Sequence, residues 1–221
     1  MTTVSVFFLF LPMDCIIGVD FDNTLVSYDV ALYTEALQRN LIRPGTSKYK
    51  QDIRDRIREL PGGEIEWRKL QGIMYGLRME EARLIDGVEE VFGFCKQNRF
   101  KVYIVSHKSI HADQDSTRTN LRTAAFNWME KNSFFEPDGL GLSRRDVYFE
   151  STRGEKVERI KALGCTHFID DLEEIFMEPS FPQAVTKLLY APRSRGLSLP
   201  DVLVFGNWKE IQSYLSNGIH R

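Results

Sequence analysis

Cysteine is scarce: the 221 residues hold three, Cys15, Cys95 and Cys165. An odd number, widely spaced and each in or beside an apolar stretch, excludes a disulfide framework and a cysteine zinc site. They read as small buried thiols of a reducing compartment, so a cytoplasmic protein is expected. An excess of one charge is missing too, since 29 Lys and Arg stand against 31 Asp and Glu, a net charge of −2. That excludes a nucleic acid polymer or an acidic membrane held by bulk electrostatics, so any anion site must be local. The apolar stretch 4–11 has no basic residue before it and no small-residue cleavage site, and it is too short to span a bilayer. Met13 stands directly before the first predicted strand, so residues 1–12 are expected to be a dispensable extension. Glycine is absent from residues 20–25, where a dinucleotide-binding turn would need it. A calcium loop starting at Asp20 fails as well, because Leu25 and Ala31 occupy its Gly and Glu positions.

What is present is the balance of a soluble globular protein, 43% apolar and 27% charged, in a length that suits one large domain or a core with a small insertion. Cys15-Ile16-Ile17-Gly18-Val19 is a short apolar run, as expected of a parallel strand buried on both faces. It ends in two carboxylates, Asp20 and Asp22. Carboxylates are almost never buried without a partner, so a pair at the end of a core strand implies a cation or a reaction that uses them. The carboxyl end of a strand is also where open α/β sheets bind ligands.

Residues 28–85 change period. Ala31, Leu32, Ala36 and Leu37 recur at helical spacing, as do Ile53, Ile57 and Leu60, then Ile65, Leu70, Ile73, Met74 and Leu77. Pro44-Gly45 and Pro61-Gly62-Gly63 divide this block into about three helices without a strand. Too large for an ordinary crossover, it is expected to be a small subdomain, leaving 13–27 and 86–221 as the core. From residue 85 helices alternate with strands, the latter predicted over 101–106, 146–150, 166–170, 187–191 and 202–205. Right-handed crossovers then align all strands in one parallel sheet. Asp20, Asp22, Ser106, Asp170 and Asp171 should converge at one edge, within reach of Lys156 at a helix start.

Several carboxylates around one point raise one another's pKa unless a cation sits among them. Magnesium suits such a site, because it takes oxygen ligands and leaves positions for phosphate oxygens. The Ser106 hydroxyl, the Lys156 charge and a helix N-terminus would form a phosphate cradle beside it. A carboxylate can then attack phosphorus, which is nucleophilic catalysis through an aspartyl phosphate. His107 and His111 have i, i+4 spacing but no third metal ligand, so a surface or backbone-capping role is expected of them. Trp67, Trp128 and Trp208 read as packing anchors, and the arginines at 54, 56, 58, 144 and 145 as solvated faces.

Asp20-Phe-Asp22-Asn-Thr24, Ser106 after an apolar strand, Lys156, and Asp170-Asp171 after another strand come in an order that resembles the haloacid dehalogenase (HAD) superfamily, over residues 15–191. The resemblance implies an α/β, Rossmann-like parallel sheet flanked by helices, with the block 28–85 as an all-helical cap. It implies a magnesium-dependent phosphatase acting on a small-molecule phosphomonoester. Asp20 would be the nucleophile and a metal ligand. Asp22 would be the general acid/base, its backbone carbonyl also binding the metal. Ser106, His107 beside it, and Lys156 would hold the phosphate. Asp170 would bind the metal directly, with Asp171 behind it. An acid at Asp22 favours phosphatase over the superfamily's dehalogenases and ion-pumping ATPases. A phosphonatase would need a Schiff-base lysine in the cap, and nothing selects among Lys48, Lys50 and Lys69. The polar segment after Ser106, with Lys108, is similar to deoxyribonucleotidases of the superfamily, so a 5′-nucleotidase is the second enzyme reading. A phosphate-binding module without turnover is the non-enzyme reading.

Overall fold

The structure, a computed structural model, describes residues 15–112, 118–193 and 198–219, so the segment 1–12 lies outside the described residues. The first half of the chain runs β1 (Ile16–Val19), β2 (Val26–Ser27), α1 (Asp29–Gln38), α2 (Lys50–Arg58), α3 (Gly63–Tyr75), β3 (Arg83–Leu84), α4 (Val88–Gln97) and β4 (Lys101–His107). The second half runs α5 (Leu121–Lys131), β5 (Val147–Glu150), α6 (Arg153–Ala162), β6 (His167–Asp170), α7 (Glu173–Phe176), β7 (Thr186–Tyr190), β8 (Val202–Phe205) and α8 (Trp208–Ile219). Six strands form one sheet in the order β5-β4-β1-β6-β7-β8, and every pairing is parallel. The chain leaves β1 on one side through β4 and β5, then returns to its other side at β6. That reversal puts a ligand crevice at the carboxyl end of β1.

The strands are apolar because both faces are covered. In β4, Ile104 joins the hydrophobic cluster on one side of the sheet and Val105 the cluster on the other; in β6, Phe168 and Ile169 divide in the same way. Gly18 is required in β1, since a Cβ there would lie 2.5 Å from the Phe168 ring. The three tryptophans are buried, and Trp128 and Trp208 satisfy their indole N–H groups on Ala82 O and Thr24 O. Burial of such a side chain stabilises the fold by about 1.5–3 kcal/mol. Cys95 and Cys165 are buried and Cys15 half-buried, all as free thiols. Among the described residues no helix is long and apolar enough to cross a membrane.

Between β2 and β3 the chain forms α1, α2 and α3, whose Leu32, Ile53, Ile57, Trp67 and Met74 join the same cluster as Phe21 and Ile104. Gly63 begins α3 because a Cβ would fall 1.9 Å from Ile57 O. The block was expected to lack strands, yet β3 pairs antiparallel with β2, Val26 opposite Leu84 and Ser27 opposite Arg83. Two residues are too few to produce the alternation that marks a strand in sequence. The four-residue α7 escapes periodicity for the same reason.

Candidate active site

The loop after β1 turns two acids toward one point. Asp20 N extends the strand by donating to Ile169 O at 2.9 Å, and Phe21 O then accepts from Leu25 N at 3.0 Å and Val26 N at 3.1 Å. Asn23 supplies the left-handed residue of this turn at φ 63°, a conformation that Asn adopts more readily than most residues. Between the acids, Phe21 is fully buried and sits edge-on to Trp128, Phe134 and Phe149. That packing anchors the loop.

Strand β6 brings Asp170, with Asp171 following, and β4 brings Ser106. Helix α6 opens with a capping box of Thr152 and Glu155, which places Lys156 in its first turn. Lys156 Nζ donates to Asp20 Oδ1 and to Asp170 Oδ2, each at 2.6 Å, and all three side chains are buried. Asp170 Oδ1 accepts from Leu172 N at 3.0 Å, and Asp171 Oδ1 from Thr24 Oγ1 at 3.3 Å. Asp20, Asp170 and Asp171 offer oxygens that all lie within 4.8 Å of one another. Among the described residues Ser106 Oγ, buried beside this group, has no hydrogen-bond partner, an orphan that a ligand oxygen would satisfy.

Electrostatics make the cluster incomplete. Burial pushes Asp20 up to about 7, with Lys156 opposing and Asp170 and Asp22 adding to the rise. Burial likewise pushes Asp171 up to about 8, against the pull of Lys50. Burial would lower Lys156, but Asp170 and Asp20 more than reverse it and hold the ammonium charged. A carboxylate that is to act as a nucleophile must be ionised. A divalent cation among these oxygens would restore the charged form, and an all-oxygen donor set is the kind that hard cations take.

Beside these groups lies a cavity of about 370 Å³. The sheet edge contributes Asp20, Asp22 and Ser106 to its wall, α6 contributes Lys156, and α2 and α3 contribute Lys50, Arg68, Gln71 and Tyr75. His107 and Asp171 also line it, while Asp170 is fully buried. The sequence placed Asp171 behind Asp170; the structure groups both with Asp20, and it is Asp170 whose two oxygens are engaged by Lys156 and Leu172 N. The Asp22 carboxylate stands apart from that trio, because Tyr28 OH donates to it at 2.6 Å and Lys108 Nζ at 2.8 Å. His107 Nε2 bonds Ser151 O at 3.0 Å and His111 Nδ1 bonds Thr119 O at 3.2 Å, so each ring caps backbone.

Sequence reasoning missed the parts played by Lys108, Tyr28, Thr24 and Lys50. Lys108 carried a usable signal: two residues past Ser106, strand alternation puts it on the same side. Lys50 is drawn down by burial, but Tyr75, Asp171 and Asp22 keep it charged. Of the other two lysines in question, Lys48 lies over the Tyr33 ring and Lys69 pairs with Glu66 at 2.7 Å.

No family model and no curated protein matches the sequence. The fold, by contrast, is similar to solved structures of HAD hydrolases. A HAD hydrolase of family IA, variant 3, from Entamoeba histolytica HM-1:IMSS matches with a TM-score of 0.56 at 15% identity, over 95% of this chain and 100% of that one. A haloacid dehalogenase-like family hydrolase from Xanthomonas campestris matches at 0.50 and 10% identity, over 93% and 96%. A HAD family hydrolase from Deinococcus radiodurans R1, with bound phosphate and sodium, matches at 0.50 and 14% identity, over 94% and 96%. The chain therefore has a Rossmann-like α/β fold, and within that class it is the fold of the HAD-like hydrolases.

Proposed function

We propose that this protein is a HAD-superfamily phosphatase that hydrolyses a small-molecule phosphomonoester through an aspartyl phosphate on Asp20. What carries the reading is the contact of one buried ammonium, Lys156, with both Asp20 and Asp170 at 2.6 Å, beside the Ser106 hydroxyl, which has no partner among the described residues. Scattered residues of the four sequence signals meet there. The phosphate bound by the Deinococcus neighbour is in keeping with it.

Asp20, Asp170 and Asp171, with the Asp22 carbonyl, would hold magnesium, which when bound offsets the charge of the incoming phosphoryl group. Ser106 and Lys156 orient that group. An Asp20 oxygen attacks phosphorus, the phosphorus–ester oxygen bond breaks, and Asp22 gives its proton to the leaving oxygen. Asp22 then takes a proton from water, whose oxygen attacks phosphorus and breaks the bond to Asp20, releasing inorganic phosphate. Helices α1–α3 act as a cap whose Lys50, Arg68, Gln71 and Tyr75 close the cavity against water.

The test is hydrolysis of p-nitrophenyl phosphate with and without magnesium, followed by acid trapping of phosphoenzyme in wild type and Asp20→Asn. Metal-dependent turnover and a label lost in the variant are expected. A folded protein without turnover would favour the phosphate-binding module. An aspartyl phosphate trapped in Asp20→Asn would move the nucleophile elsewhere. A panel of phosphate esters then separates nucleotides from other substrates.

A further inference from the structure

We propose that Lys108 and Tyr28 are positioning residues that hold the Asp22 carboxylate toward the leaving-group oxygen, Lys108 from the core and Tyr28 from the helical block. The inference rests on the phosphomonoesterase reading and adds to it the two groups on which proton delivery depends.

Lys108 is 3% exposed, an uncommon place for an ammonium unless it has a charged partner. Its Nζ reaches both oxygens of Asp22, Oδ2 at 2.8 Å and Oδ1 at 3.1 Å. Tyr28, 1% exposed, donates its hydroxyl to Oδ1 at 2.6 Å. A carboxylate with one partner can rotate about its Cβ–Cγ bond, whereas donors on both oxygens fix its plane. The clamp is itself anchored. Lys108 N donates to Glu150 O at 2.9 Å, and Lys108 O accepts from Arg122 Nε at 2.9 Å, so the backbone at the end of β4 is tied on both sides.

Its other half comes from the helical block. Tyr28 directly precedes α1 and its hydroxyl also approaches Met79 Sδ, beyond α3, at 3.1 Å. Tyr75, the last residue of α3, packs its ring 4.8 Å from the Tyr28 ring and 4.8 Å from Lys108 Nζ. Both ends of the block thus meet at the groups that hold Asp22. Displacing α3 would remove the wall against which Lys108 and Tyr28 are set, and Asp22 would lose its aim.

An acid aimed at the leaving oxygen matters most when the departing alkoxide is poor, and little when it is a stabilised phenolate. The experiment therefore compares p-nitrophenyl phosphate with an alkyl phosphate that the wild type turns over, in magnesium, for Lys108→Met, Lys108→Arg and Tyr28→Phe. Lys108→Met and Tyr28→Phe should lower kcat on the alkyl ester by about tenfold or more beyond their effect on p-nitrophenyl phosphate, part of the range that general acid catalysis spans. KM should change little, and Lys108→Arg should recover part of the loss. Equal losses on the two esters, or none on the alkyl ester, would overturn the inference. Should Lys108→Met fail to fold, Tyr28→Phe, which removes one hydroxyl, decides by the same comparison. A wild type that hydrolyses neither ester would overturn the phosphomonoesterase reading itself, and this inference with it.

Discussion

Lys156→Met probes the centre of the site without any assumption about substrate. The methionine keeps most of the side-chain volume but leaves Asp20 and Asp170 without the ammonium that now lies 2.6 Å from each, in a site where the lysine is 3% exposed. Removing one partner of a buried pair costs about 3–5 kcal/mol, because the remaining charge stays in a poorly solvating interior. For a chain of this size 1 kcal/mol moves the melting temperature by about 2–4 °C, so the variant in EDTA should melt about 6–20 °C below wild type. Magnesium should recover part of the loss. An ion that binds only the folded state stabilises it by about 2.7 kcal/mol at one hundred times its Kd, and the freed carboxylates no longer share their charge with an ammonium. Asp170→Asn placed in the Lys156→Met background should also return part of the stability, since one stranded acid is then gone. Differential scanning calorimetry in EDTA and in magnesium measures all of this. A Lys156→Met protein that melts within about 2 °C of wild type in EDTA would refute the claim that this ammonium holds two buried acids together.

Asp22→Asn should slow turnover by about two to four powers of ten, the usual cost of losing a general acid/base; a drop of less than tenfold in kcat would assign the proton transfers elsewhere. Asp171→Ala should weaken magnesium binding, measured by titration calorimetry, by more than about a hundredfold, the most that a supporting group usually contributes. A smaller loss would return Asp171 to a place behind Asp170. Burial raises Asp20 to about 7 and Asp171 to about 8, so the metal-free folded chain keeps protons that the unfolded chain has already released. The stability that these two groups contribute is present below the ordinary carboxyl range, near pH 4, and is lost as pH rises through their folded values. Melting temperature in EDTA should therefore fall between about pH 5 and 8, less so in Asp20→Asn, and saturating magnesium should flatten the slope. A slope unchanged by both would contradict the assignment.

Much of this arrangement was legible in the residues because its strands are buried on both faces. Continuous apolar runs such as Ile16–Val19 admit few readings when each ends in an acid or a hydroxyl, and parallel crossovers bring those ends to one edge. Lys156 was legible for a related reason: its position at the start of a helix fixes which end of the sheet it can reach. The ribbon of β2 and β3 was not, because two residues carry no period. Nor was the pairing of Asp22 with Tyr28 and Lys108, because it depends on how α1 and α3 rest against the core. Helical spacing tells which face of α3 is apolar, but not that Tyr75 stands over Lys108. The pairing of Asp170 with Asp171 had the same limit. Adjacent acids at a strand end are visible in sequence, but which oxygens Lys156 and Leu172 N engage is decided only in three dimensions.

Ser27 faces Arg83 across β2 and β3, so the chain departs from the core and rejoins it at neighbouring points. Residues 28–82 are in that sense a pendant. Both joints lie outside the six-stranded sheet, and a two-residue turn could join Ser27 to Arg83 directly. Recombination at this one junction would give the chemical machinery a new outer wall while leaving Asp20, Asp170, Asp171, Lys156 and Ser106 on the core, whereas the hold on Asp22 would have to be rebuilt, since Tyr28 leaves with the pendant. An engineer could use the same junction as a socket, provided that the apolar surface which the pendant now covers is covered again.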